Sequence, residues 1–414
     1  MKLLLNVLLI AICVFSFSQN YTSINNGNWT DPTTWSPTGV PVTFASVTIN
    51  HDVIMNTDFG YSSGVITINQ SGSLVQDVAG RSFAINGGSL EIYGRFDIDI
   101  VGIYSGSLSN EGIAYTKKAY NNGTVWNYGL WDNIDSLYND NEIYNDYGEI
   151  YVDNFFNASY FRNDGYTECI DFYNDSFFEN FDDIDIVNFY NADTTFNNGL
   201  LTFYDHTNAG YLENYYIAVG YHDFTNAGDY ENYGLLSVDN DFMNADSVNF
   251  DAFFFNDSAV YAGNNFLNVD TIYGTIDGHF CVVNNSANSG YFYGEFDFCD
   301  QTPPSTPPYI DINTGYIDST ITYCLYPCGT NINQADFNND ELKVYPNPAY
   351  NLLFINYNET IKEIKLYDIN GKVVLTQSPY KSNTEININK LNQGLYFINV
   401  ITQSGIKTGK IIIE

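Results

Sequence analysis

The sequence predicts an all-β protein, a three-faced β-solenoid with coils of 17–18 residues followed by a small C-terminal antiparallel β-sandwich. Three observations predict it. Asparagines recur at Asn121, Asn139, Asn157, Asn174, Asn191, Asn208, Asn226 and Asn244, in steps of 18, 18, 17, 17, 17, 18 and 18. A second series, Asn127, Asn145, Asn163, Asn180, Asn197, Asn214 and Asn232, follows the first by six residues, with Asn110 before it and Asn249 continuing it approximately. From Leu342 the acidic, Asn-rich texture gives way to Lys-balanced alternation.

A period this short houses neither a helical pair nor a propeller blade. Each unit divides into three stretches of about six residues, each long enough for one strand. Segments such as Phe155-Phe156-Asn157, Phe172-Tyr173-Asn174 and Phe189-Tyr190-Asn191 then read as a strand ending at a corner. Asparagine tolerates the left-handed backbone of a corner, and stacked amides can hydrogen-bond up a column. The same register aligns Cys169, Ile186, Phe203, Gly220 and Val238, so Cys169 is expected to be a buried, inert thiol.

The elements follow in order. Residues 1–18 read as a signal peptide, with Lys2 before an apolar run from Leu3 to Phe15 and small residues after it. That run is shorter than the ~20 apolar residues of a membrane span, and no later segment is apolar enough to serve. Residues 19–119 read as an N-terminal cap and first irregular coils, in which Trp29 and Trp35 pack rather than form a sugar platform; an open solenoid end would expose strand edges. Residues 120–280 are the Asn-rich solenoid. After Asn249 the period blurs, Asn256 and Asn268 being 12 apart, and the coil is expected to end there. Residues 281–341 form a disulfide-containing end segment with a Pro-rich linker. Its four cysteines, Cys281, Cys299, Cys324 and Cys328, allow three connectivities, of which Cys281–Cys299 with Cys324–Cys328 joins nearest neighbours.

Residues 342–414 alternate like strands, with Asn370-Gly371 suited to a hairpin turn. The Tyr345-Pro346-Asn347-Pro348 opening, the Tyr367-Asp368-Ile369-Asn370-Gly371-Lys372 turn, the Leu391-Asn392-Gln393-Gly394-Leu395-Tyr396 strand and the terminal strand with Lys410 resemble the type A C-terminal sorting domain of the Bacteroidetes type IX secretion system. The resemblance implies recognition by the type IX translocon, with the signal carried on Tyr345, Pro346, Asn347, Pro348, Gly371, Gly394, Tyr396 and Lys410. It also implies passage through the periplasm to the outer-membrane surface or the medium.

Charge narrows the partners of the body. Of 14 basic and 49 acidic residues, eight basic and five acidic lie in 343–414, so residues 1–342 keep six against 44, a net of −38. Such a body repels phosphate backbones, which excludes nucleic acid. Aromatics make up 17% of the chain, enough to build a core despite the charge.

No catalytic constellation is legible. His51, His206, His222 and His279 lack zinc spacing, and no phosphate loop or nucleophile elbow occurs. Arg162 is the sole Lys or Arg between Lys118 and Lys343, which argues against lyase chemistry that pairs carboxylates with a base. No cofactor or metal is expected, calcium on Asp182-Asp183-Ile184-Asp185 or Asp239-Asn240-Asp241 being the one candidate. Asp336-Phe337-Asn338-Asn339-Asp340 only opens like a calcium loop, with Glu341 where glycine belongs.

The expectation for function is an exported, non-enzymatic surface or released solenoid acting in adhesion or in glycan or partner binding. The alternatives are a carbohydrate-active β-helix enzyme, lyase or hydrolase, and a passive structural component of a surface layer.

Overall fold

A computed structural model of the chain describes residues 19–245, 251–325, 328 and, within 343–413, all but 346–348, 350–351, 369–371, 378, 380, 392 and 403–405. The signal peptide, Asn249 and Asp336–Asp340 lie outside the described residues. Two compact units divide between residues 327 and 328.

The first unit is a parallel β-solenoid running from Asn20–Ser23 to Tyr316–Ile317. Its one helical element among the described residues is a single 3-10 turn, Pro32–Thr34. Each coil contributes three short strands, for instance Tyr211–Asn214, Ile217–Gly220 and Phe224–Asn226 on the first, second and third faces. In the middle coils the corners straighten, and Glu142–Asn157 and Tyr160–Asn174 each run continuously over all three. Strands one coil apart pair in parallel, with Asn139, Asn157, Asn174 and Asn191 as successive partners.

Alternation decides what fills the tube, since neighbouring residues of a strand face opposite sides. Phe155, Phe172 and Phe189, two residues before each ladder asparagine, point inward and stack with ring centroids 5.0 and 5.3 Å apart. Phe156, Tyr173 and Tyr190, one residue before, face outward. Cys169, Ile186, Phe203, Gly220 and Val238 are successive register partners on the second face. Cys169 is a free thiol and is buried, and burial together with the nearby carboxylates pushes it well above the ordinary thiol range.

The asparagines sit in the two corner columns, fully buried. In one, the Nδ2 of Asn121, Asn139, Asn157, Asn174 and Asn191 each donates to the Oδ1 of the next, at 2.7–2.8 Å. In the other, Asn110 through Asn214 do the same. The spare amide proton also reaches corner carbonyls; Asn174 donates to Ser176 O and Thr194 O at 2.8 and 3.0 Å. A closed corner cannot bring water to those carbonyls, so the side chain satisfies them.

The N-terminal coils use the same columns differently. Ile49, Ile68 and Ile92 stack directly beneath Asn110, and Tyr61, Ile85 and Ile103 beneath Asn121. The cap closes this end: Trp29 and Trp35 are buried edge to face at 5.2 Å, and Trp35 Nε1 donates to Trp29 O.

One expectation is corrected. The coil does not end after Asn249. Asn232 passes its hydrogen bond to Asn256 and Asn244 to Asn268, each a step of 24 residues, the additional residues of the sequence falling between Asn244 and Phe253. The 12-residue gap from Asn256 to Asn268 is the ordinary distance from the second column to the next turn of the first, as from Asn127 to Asn139. The first column then continues through Asn288 to Asn313.

Of the three connectivities open to the four cysteines, the nearest-neighbour one is not the one formed. Cys299 bonds Cys324, with Cα atoms 4.4 Å apart; Cys281 and Cys328 are also disulfide-bonded. Cys281 and Cys299 are partners in adjacent strands, and the Asp297–Thr322 bridge sets Cys324 over Cys299 on the other side.

The second unit is a sandwich of a three-stranded and a four-stranded sheet, with antiparallel pairing throughout each. Leu353, Ile355 and Ile386 from one sheet meet Ile364, Leu366, Ile398 and Ile411 from the other in one core.

Candidate binding faces and groove

From Asn121 to Asn191 the residue immediately before each first-column asparagine builds an outward-facing aromatic stack. Tyr120, Tyr138, Phe156 and Tyr173 lie with centroids 5.1, 4.9 and 5.1 Å apart and planes within 7° of parallel, and Tyr190 continues the row at 6.5 Å. Backbone stacking at ~4.8 Å brings rings on successive coils to this spacing without further design. On the first face Tyr215 and Tyr233 stack at 5.1 Å.

Between the second and third faces, the coils from Asp132 to Tyr221 leave a groove of about 630 Å³ along the stack. One wall is an outward column of register partners, Asp132, Tyr151, Glu168, Asp185 and Thr202. Across from it stand Asp153, Ile170, Val187, Tyr204 and Tyr221, and no Lys, Arg or His lines it. Desolvation, then Asp153, raises the Asp132 carboxyl, and desolvation with the hydrogen bond to Glu149 pushes Tyr151 up to about 12. Tyr166 donates to Asp185 at 2.7 Å. At the groove's end Asn133 is fully buried; its Nδ2 donates to Ser136 O, while its Oδ1 accepts no hydrogen bond.

A polar row follows the same corner. Asn188 donates to Asp171, His222 Nδ1 lies 2.7 Å from Asp205 Oδ1, and Asn240 donates to Asp223. His222 stacks flat on Tyr204 at 4.8 Å. The hydrogen bond to Asp205 raises its pKa, with Asp223 adding to the effect. Asp205, His222 and Asp223 are the one group among the described residues with three metal-capable donor atoms within 4.8 Å of one another. Asp205 and His222 are 17 residues apart in sequence, one whole coil, and only the stacking brings them together.

The other titratable candidates are occupied. Arg162 pairs with Asp164 and lies 4.8 Å over the Phe181 ring. His206 belongs to the inner aromatic column, between Phe189 and Phe224. Neither ring nitrogen has a hydrogen-bond partner, and burial pushes its pKa down to about 3. Asp182 and Asp183 both titrate high, with desolvation as the larger cause.

In the second unit Tyr396 is buried in the sandwich core, and Gly394, exposed at φ +153°, starts its strand in a conformation that side chains disfavour. Tyr345 pairs with Phe354 and Lys410 with Phe397. Pro346, Asn347, Pro348 and Gly371 lie outside the described residues.

The described chain is thus a parallel β-solenoid followed by an antiparallel sandwich. Residues 343–414 match the family described as secretion system C-terminal sorting domain. The chain is thus a cargo of type IX secretion, carried through the periplasm to the cell surface or beyond it. No curated protein matches the chain. Among the described residues no helix is long and apolar enough to cross a membrane.

Proposed function

We propose that the body is a non-enzymatic binding solenoid, presented at the cell surface or released, which holds glycans or another surface through its outward aromatic rows. The observation that carries this reading is the stack from Tyr120 to Tyr190, five rings on five successive coils with Tyr120, Tyr173 and Tyr190 exposed. Exposed aromatic area kept in a row costs solubility and contributes nothing to the core, which is the usual mark of a surface that meets a partner. Flat aromatic faces suit the apolar faces of sugar rings. Against lyase chemistry, which pairs carboxylates with a basic side chain, stands the groove, where carboxylates converge without any Lys, Arg or His.

The test is a screen of the full chain for glycan binding and for polysaccharide degradation, with and without calcium. Binding that leaves chain length unchanged, and that Tyr138→Ala with Tyr173→Ala weakens, supports the reading. New sugar chain ends appearing during incubation would overturn it.

A further inference from the structure

We infer that Asp205, His222 and Asp223 form a site for one divalent transition-metal ion of the zinc class, on the corner between the second and third faces. The inference goes beyond the binding solenoid, whose aromatic rows require no ion.

The donor set is the first argument. His222 Nδ1 lies 2.7 Å from Asp205 Oδ1 and 3.5 Å from Asp223 Oδ2, and one donor atom from each residue falls within 4.8 Å of the other two. An ion with bonds of ~2.0–2.1 Å holds tetrahedral ligand atoms about 3.3 Å apart. The two histidine distances bracket that value, so small adjustments of half-exposed side chains complete the set. The imidazole also separates this group from the merely acidic surface around it. Neutral imidazole suits zinc, copper or nickel, whereas calcium and magnesium take oxygen ligands.

Each ligand is held from outside the set. The Tyr204 ring lies flat on His222 at 4.8 Å, with planes 5° apart, and fixes the direction of Nδ1. Asp223 Oδ1 accepts from Asn240 Nδ2 at 2.6 Å and from the Asp241 amide at 3.2 Å, which turns Oδ2 to the histidine. Asp205 Oδ1 accepts from the Asp223 amide at 3.2 Å. Supports of this kind orient metal ligands before the ion arrives. Asp205 belongs to one coil and the other two ligands to the next, so the ion would join adjacent coils.

Charge gives independent support. Two carboxylates face one imidazole, and a proton on the ring offsets only one of them. Beyond Lys118 the solenoid contains a single Lys or Arg, Arg162, and it is paired with Asp164. A divalent ion neutralises both carboxylates. Three protein ligands leave a further position open to water or to a donor atom of a bound partner.

The experiment titrates the full chain, free of any affinity tag and stripped with a chelator, with zinc chloride by calorimetry. Calcium chloride is the comparison, and cobalt(II) reports the ligand set by its visible absorption. One equivalent of zinc is expected to bind at least about tenfold more tightly to the wild type than to His222→Ala, Asp205→Asn or Asp223→Asn. It should raise the unfolding midpoint of the wild type more than that of the variants, and resist about a hundredfold excess of calcium. Circular dichroism of the chelated proteins verifies folding, and the Asn variants retain the Oδ1 acceptor of the corner. Absence of zinc binding, or equal binding to His222→Ala, overturns the inference. A loss in His222→Ala with both Asp variants silent overturns it in favour of a lone surface histidine. Calcium displacing zinc at equal concentration overturns it in favour of a diffuse acidic surface.

Discussion

His206 interrupts a column that is otherwise phenylalanine, Phe155, Phe172, Phe189, Phe224, Phe242 and Phe266. Its pKa of about 3 lies below the ordinary 6.5, and burial is the cause. Folding therefore requires the neutral ring, whereas the unfolded chain protonates it below about pH 6.5. The sign follows: stability is complete above 6.5 and is lost as pH falls from there towards 3. From pH 7 to pH 5 the loss amounts to about 2 kcal/mol, each unit of pH below the unfolded pKa costing about 1.4 kcal/mol. His206→Phe restores the column and removes the titrating group. At pH 7 the variant is expected to be more stable by about 1–3 kcal/mol, since it also removes a buried polar ring without partners. Asp132, Asp182 and Asp183, whose carboxyls burial raises above the ordinary range, act in the opposite direction on acidification. The informative quantity is therefore the difference between wild type and variant in urea unfolding at pH 7 and pH 5, because the shared carboxylates cancel. That difference should widen by about 2 kcal/mol on acidification. A difference independent of pH would refute the buried neutral histidine.

Asn174→Ala removes donations to Asn191, Ser176 O and Thr194 O and the acceptor of Asn157; at about 1 kcal/mol for each bond it should cost about 4 kcal/mol in urea unfolding. A cost no larger than that of an exposed-site alanine would mean that the ladder contributes nothing. Cys169 should resist maleimide labelling in the native protein and react fully once it is unfolded, as read by mass spectrometry; rapid native labelling contradicts the inward column. In an NMR titration His222 should protonate above the ordinary 6.5 and Asp205→Asn should bring it down, since the Asp205 hydrogen bond is the largest cause of its shift; an unchanged midpoint in the variant rules that cause out.

The coil was legible in the sequence where a specific chemistry has to recur at every turn. An amide ladder tolerates no substitute, so Asn121 to Asn244 spell out the period. The corners of residues 49–103 are closed by Ile49, Ile68, Ile85, Ile92 and Ile103, which pack equally well as other aliphatics and so carry no periodic signature. The extra residues after Asn244 disguised an unbroken stack as an ending one, because the step to Asn268 breaks the count while preserving the contact. The groove was hidden for a different reason. Asp132, Glu168 and Asp185 are three among 49 acidic residues, interrupted by Tyr151, and only the register makes them neighbours. The same holds for Asp205 with His222. In the pairs Phe172-Tyr173 and Phe189-Tyr190, strand alternation alone separates the core ring from the exposed one, and that division is readable once the strand is assigned.

The superposition of coils is tested most directly by distances between spin labels on exposed corner positions, in a Cys169→Ala background. Asn122, Ala192 and Val269 each follow a first-column asparagine, and Ala192 and Val269 stand four and eight coils above Asn122. Double electron–electron resonance on Asn122→Cys with Ala192→Cys, and on Asn122→Cys with Val269→Cys, should give separations of about 19 Å and about 38 Å, a doubling set by ~4.8 Å per coil. Separations that fail to double, or a second distance no longer than the first, would contradict a stack in register.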